Sequence, residues 1–149
     1  MKNSRSQYRL DKSLGHLASR LSRVVLRRFN LVLAQHDLPI TAEQYSLLVQ
    51  LWEHNGLPQG AIAEKTAKDK TTMARLAAGL EARGLIVRLP SPGDGRERLL
   101  YLTEQGKLLM DQATDLARGI LEEAQRGISE SDLDLCRDVL RRACANLNR

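Results

Sequence analysis

A mostly α-helical fold carrying one small β-wing is what this sequence predicts, and three observations predict it. Only 3% of the 149 residues are aromatic while 42% are apolar, so the core must be built from Leu, Ala, Val and Ile. Apolar residues recur at three- and four-residue spacing over most of the chain, the mark of amphipathic helices. One stretch, Leu85 to Leu102, breaks that rhythm: two short strand-like runs flank Pro90-Ser91-Pro92-Gly93-Asp94-Gly95, too rich in turn residues for regular structure.

The elements follow in order. Leu10, Leu14, Leu17, Leu21, Val24 and Val25 share one face of a long first helix whose polar face holds Arg20, Arg23, Arg27 and Arg28. It is expected to end near His36-Asp37-Leu38-Pro39, because proline disfavours helix at the residue before it. Thr41-Ala42-Glu43-Gln44 has the form of a capping box and opens a second helix, which Asn55-Gly56 ends after about His54. Pro58 suits the first turn of a short third helix, where its missing N–H would be unpaired anyway, with Ile62 and Ala63 turned inward.

Asp69 is a good N-cap for a fourth helix running to Arg83. Met73, Leu76, Ala77 and Leu80 form its buried stripe, and Lys70, Thr71, Ala74 and Arg75 lie toward the other side. Gly84 can supply the left-handed C-cap. Leu85 to Leu89 and Arg98 to Leu102 then pair as a hairpin with Arg88, Arg96 and Arg98 on or beside it. Thr103 or Glu104 opens a fifth helix with Leu109, Ala113, Leu116, Ile120 and Ala124 inward. Gly127-Ile128-Ser129 breaks it, and Ser129-Glu130-Ser131-Asp132 caps a sixth.

Together these elements spell a winged helix-turn-helix over residues 38–103, flanked by helical dimerisation regions at 1–37 and 104–149. A first helix of roughly 28 residues would span about 40 Å, more than the small winged domain beside it can cover. A second copy is the simplest cover, and a homodimer of this kind holds two recognition helices at a fixed separation. The fourth helix is the element to place in the major groove of double-stranded DNA, with the basic wing tip in a minor groove. Two half-sites of an inverted repeat, about one turn apart, are the geometric consequence.

Charge agrees with a polyanionic partner. The net charge is +5, and residues 1–37 hold eight Lys and Arg against two acids. Nothing reads as an enzyme: there is no phosphate-binding Gly loop, no HExxH, no CxxC and no cofactor motif, and the three His stand apart at 16, 36 and 54. No run of 18 apolar residues exists, so no membrane partner is expected. Met1-Lys2-Asn3-Ser4-Arg5 is not followed by the apolar core of a signal peptide, which points to the cytoplasm. Cys136 and Cys144 are too far apart for a disulfide within one helix, and Cys136 falls in the series Leu133, Cys136, Leu140, Ala143, Leu147. Both are expected as buried small apolar residues, and no metal site is expected.

From Thr41 to Gly106 the chain resembles the MarR family of bacterial winged-helix regulators. The residues that carry the resemblance are Leu47-Leu48 and Leu51, Ile62-Ala63-Glu64, Asp69 to Leu76, Leu80-Glu81-Ala82-Arg83-Gly84-Leu85-Ile86, Asp94-Gly95-Arg96 and Leu102-Thr103-Glu104-Gln105-Gly106. The resemblance implies a homodimer that usually represses transcription, often released by a small phenolic or amphipathic ligand or by oxidation of a cysteine. It implies DNA contacts at Asp69, Lys70, Thr71, Thr72, Ala74 and Arg75 on the recognition helix. On the wing, Asp94 and Arg96 act together, with Arg88 and Arg98 beside them.

Arg75 has an alternative as a structural ion pair with acids near Glu81 or on the wing. The reactive cysteine of the redox-sensing members lies near the N-terminus, where this chain has none, so peroxide sensing by that route is disfavoured. Ala74 stands where a hydroxyl residue is common, Thr66 where an apolar one is common, and Gly79 interrupts the recognition helix. A ligand pocket is expected where the first and second helices meet the winged domain and the fifth helix, with His16, Arg20, Tyr45 and Trp52 as candidates. The competing reading is a winged-helix module that binds protein instead of DNA.

Overall fold

The computed structural model describes residues 8–148. Residues 1–7, over which the sequence argues against a signal peptide, lie outside the described residues. The elements are α1 (Leu14–Gln35), α2 (Ala42–Glu53), β1 (Leu57–Pro58), α3 (Gln59–Lys65), α4 (Lys70–Ala82), β2 (Ile86–Pro90), β3 (Arg98–Leu102), α5 (Glu104–Ala124) and α6 (Glu130–Leu147). The chain divides into two compact units, one up to Ala117 and one from Arg118 onward.

The core lies in the first unit. Leu47, Leu48 and Leu51 of α2, Ile62 of α3 and Met73 and Leu80 of α4 are fully buried, with Ile86 and Leu100 of the sheet and Met110 of α5. The four residues expected as the buried stripe of α4 are all buried. The caps form as their residue types dictate. Thr41 Oγ1 accepts from the Gln44 N–H at 3.1 Å while Gln44 Oε1 accepts from the Thr41 N–H at 3.0 Å. Asn30 of α1 ties this helix start down by accepting from the Ala42 N–H at 2.8 Å.

Four expectations are corrected. The first helix begins at Leu14, not Leu10: Leu10–Lys12 forms a separate 3-10 turn, and the Ser13 hydroxyl caps α1 by accepting from the His16 N–H. Pro58 is not in the first turn of α3. It is the extended residue before that helix, and Leu57–Pro58 adds a third strand to the sheet by pairing with Leu100 and Leu99 of β3. Proline is tolerated there because an edge strand need not donate from every residue. Finally, Ala124 is exposed and Leu116 half-buried, and Cys136 and Cys144 are exposed free thiols. In α6 no residue is buried: Leu133 and Ala143 of its apolar series are half-buried, while Cys136, Leu140 and Leu147 are exposed.

Thr66, unusual for a core-facing position, satisfies its hydroxyl by donating to the Ile62 carbonyl at 2.7 Å. The turn between α3 and α4 places Ala67 at φ 53°, the left-handed region where a Cβ costs about 1–2 kcal/mol. Glycine would relieve that strain but lose more entropy on folding. Ala67→Gly is therefore expected to raise stability by up to about 1 kcal/mol, and Ala67→Val to lower it. Urea midpoints that rank Val above Gly would contradict the strain.

Candidate nucleic-acid interface

The exposed face of α4 is set by its cap. Asp69 Oδ1 accepts from the Thr72 N–H at 2.7 Å and Asp69 Oδ2 from the Thr72 hydroxyl at 3.0 Å. The Thr72 backbone N–H above all, then its hydroxyl, holds the Asp69 carboxyl below its ordinary value of 3.8. Of the six residues expected to meet DNA on this helix, Asp69 and Thr72 are thus occupied with each other. Lys70, Thr71 and Arg75 remain exposed, and Ala74 is half-buried. Arg75 lies 3.9 Å from Glu43 of α2, an exposed and long contact, and not beside Glu81. Such a pair contributes little and leaves the guanidinium available.

Because the folded Asp69 carboxyl is the stronger acid, its stabilisation is present above the unfolded value and lost as pH falls through the folded one. Asp69→Ala should lower the thermal midpoint at pH 7. The gap between parent and variant should close on acidification below about pH 4. A gap independent of pH would mean that the charge plays no part in the cap.

The wing is a three-stranded antiparallel sheet in the order β1-β3-β2, with Ile86 opposite Leu102 and Pro90 opposite Arg98. At its tip the Ser91 N–H donates to Glu97 O at 2.9 Å and the Glu97 N–H to Asp94 O at 3.2 Å. Asp94 Oδ1 accepts from the Arg96 N–H at 3.0 Å. Asp94 therefore shapes the turn that presents Arg96, a local role for the acid in a basic tip. Arg96 and Arg98 are exposed.

Arg88 differs from its two neighbours on the wing. Its Nη2 and Nε donate to Glu81 Oε1 and Oε2 at 3.2 and 3.3 Å, and Nη1 to Gln59 Oε1 at 3.4 Å. The hydrogen bond from Arg88, helped by the charge of Arg98, holds the Glu81 carboxyl below its usual range. Sequence reasoning offered Glu81 only as a partner for Arg75 and did not single out Gln59. The one signal available was opposite charge on either side of the Gly84 reversal.

None of the four expected ligand residues lines either of the two cavities described below. His16 and Arg20 are exposed on α1, and Trp52 is 41% exposed. Tyr45 packs edge-on against Phe29, with centroids 4.8 Å apart. An open groove of about 550 Å³ lies instead between the α1–α2 connection (Leu38, Pro39), Leu85, and Gln105, Leu108, Leu109, Asp111 and Gln112 of α5. A smaller cavity of about 130 Å³ lies beside Lys70, lined by Gln59, Gly60, Ala63 and Met73. Among the described residues no group of His, Cys, Asp and Glu could hold a metal, and no helix is long and apolar enough to cross a membrane.

Comparison with known proteins places this geometry among regulators. A family model described as MarR family matches residues 40–97. The organic hydroperoxide resistance transcriptional regulator of Bacillus subtilis (strain 168) is 34% identical over 121 residues, 81% of either chain. The crystal structure of a MarR-family transcriptional regulator from Rhodococcus sp. RHA1 is 30% identical, with a TM-score of 0.75 over 87% of this chain and 94% of that one. CouR from Rhodococcus jostii RHA1, crystallised with p-coumaroyl-CoA, is 29% identical with a TM-score of 0.78, covering 91% and 94%.

Proposed function

Given that the chain belongs to the MarR family of winged-helix transcriptional regulators, which bind DNA and are not enzymes, we propose that it acts as a homodimeric repressor on a pseudo-palindromic operator. The observation that carries this reading is the pairing of two exposed basic surfaces. Lys70, Thr71 and Arg75 face outward from α4, and an Asp94-shaped turn presents Arg96 at the wing tip. Helix and tip of this kind enter adjacent major and minor grooves. Direct contact falls to Lys70, Thr71, Ala74, Arg75, Arg96 and Arg98, with Asp69, Thr72 and Asp94 holding them in place.

Dimerisation is supported by apolar surface that the single chain leaves bare. Leu14, Leu17, Leu21 and Val24 of α1 are 46–58% exposed, and Leu135, Leu140 and Leu147 of α6 are exposed as well. Large apolar side chains left exposed along one helix face favour an interface. A dimer seated on an operator represses by occupying the duplex, and a DNA-bound regulator works in the cytoplasm.

A small amphipathic or phenolic effector is the proposed release signal. The groove between Leu38 and Gln112 offers leucines for an aromatic ring and the amides of Gln105 and Gln112 for a hydroxyl or carbonyl. The p-coumaroyl-CoA bound by CouR lends support to that ligand class.

The test is a mobility shift of the purified protein on the DNA flanking its own gene, across salt concentrations and with nonspecific competitor. A competitor-resistant shift at one inverted repeat, weakened by an aromatic acid, supports the whole reading. A shift that vanishes with competitor or modest salt removes specific recognition and favours the protein-binding module.

A further inference from the structure

We propose that Glu81 and Arg88 are positioning residues that fix the wing against the recognition helix, acting on DNA affinity through Arg96 and not by touching DNA themselves. The inference rests on the DNA-binding reading above. One guanidinium joins three elements: Arg88 grows from β2, grips Glu81 in the last turn of α4 through two hydrogen bonds, and reaches Gln59 at the start of α3. Two parallel bonds to one carboxylate fix orientation as well as distance, which a single contact does not.

The backbone between the two residues turns sharply, and Thr103 holds its carbonyls at Gly84 and Leu85 but not the hairpin beyond. After α4 the chain reverses at Gly84, φ 73°, with the Gly84 N–H donating to Glu81 O and the Leu85 N–H to Leu80 O. Glycine is the residue with the weakest conformational restraint. The Glu81–Arg88 pair closes this reversal from the side-chain side, seven residues across it. The pair is partly shielded, with side chains 41% and 27% exposed, so solvent screens it less than the exposed pairs along α6. From Arg88 the restraint passes down the hairpin, because Arg88 stands opposite Leu100 and Pro90 opposite Arg98, immediately before the tip that carries Arg96. A small rotation at Gly84 therefore becomes a displacement of Arg96 relative to α4.

The alternative is that Arg88 leaves Glu81 to bind a phosphate. The two roles predict opposite signs. If Arg88 bound DNA, Glu81 would compete with the phosphate, and neutralising Glu81 would tighten binding. If the pair positions the wing, breaking it from either end loosens binding.

The experiment measures operator affinity by fluorescence anisotropy at several salt concentrations for the parent, Glu81→Gln, Arg88→Gln, the double variant, Arg96→Ala, and Arg96→Ala combined with Glu81→Gln. Urea midpoints confirm that each is folded. Glu81→Gln and Arg88→Gln are each expected to weaken binding by about three- to tenfold, the coupling seen within one network. The double variant should be no worse than either, and the Glu81→Gln effect should vanish once Arg96 is alanine. The salt slope should stay unchanged, since no phosphate contact is lost. The exchanged pair, Glu81→Arg with Arg88→Glu, should restore part of the affinity. Tighter binding by Glu81→Gln, additivity with Arg96→Ala, or a shallower salt slope for Arg88→Gln would overturn the positioning role. A parent that binds no operator specifically would overturn the DNA reading, and the inference with it.

Discussion

Replacing Gly106 with alanine is expected to cost the protein about 3 kcal/mol of stability, near the top of the range for overpacking, although alanine is the better helix former. The reason is space. The first turn of α5 is tucked against the backbone leaving α4: the Thr103 hydroxyl donates to Gly84 O at 2.6 Å and the Thr103 N–H to Leu85 O at 3.1 Å, while the Gly106 N–H donates back to Thr103 Oγ1. A Cβ on Gly106 would stand 2.2 Å from Leu85 O and 3.2 Å from Leu102 Cδ2. A carbonyl held in this seam cannot step aside as a flexible side chain can, so α5 or the start of β2 must shift.

Gly119 in the same helix is the control, since a Cβ there meets nothing within 4 Å. Gly119→Ala should gain up to about 1 kcal/mol from helix propensity alone. Urea unfolding followed by circular dichroism reads both. Equal midpoints for the two variants would show that α5 does not sit on the Leu85 carbonyl as described.

That seam also shows what a linear reading could and could not reach. The Leu102-Thr103-Glu104-Gln105-Gly106 run was legible as a strand end and a helix start, but the need for glycine comes from a carbonyl 21 positions earlier. The features that read correctly are local. The capping box at Thr41, the Asp69 cap and the reversal at Gly84 each depend on residues within a few positions of one another, so residue type and spacing determine them.

The features that did not are contacts between distant segments. Leu57–Pro58 becomes a strand only because β3 arrives beside it. Arg88 reads in the sequence as a third wing arginine, and only the fold brings Glu81 to it across the turn. The two cysteines of α6, expected as buried small residues, are exposed in the single chain because periodicity tells which residues share a face, not what covers that face. The groove near Leu38 lies in the neighbourhood expected for a ligand, yet its lining residues differ. Tyr45 is spent on packing with Phe29, and the groove draws on α5 instead.

Arg96→Ala should weaken operator binding by about ten- to a hundredfold, as one charge-assisted hydrogen bond is worth about 1.5–3 kcal/mol. Asp94 holds the backbone of the tip through the Arg96 N–H, which alanine retains, so the turn should survive and the loss should belong to the side chain. The comparison that gives the number meaning is Lys70→Ala. Lys70 is an exposed point charge at the start of α4. If it meets phosphate, its loss should lower affinity for every sequence alike and reduce the salt slope by about one. Arginine in a minor groove responds instead to groove width, which follows base composition. The Arg96→Ala loss should therefore be largest on operators with A·T-rich flanks and shrink when those flanks are G·C-rich. Anisotropy titrations on both duplexes separate the two cases. Equal losses for Arg96→Ala and Lys70→Ala on both would mean that the wing supplies charge alone, and would leave α4 as the sole reader of sequence.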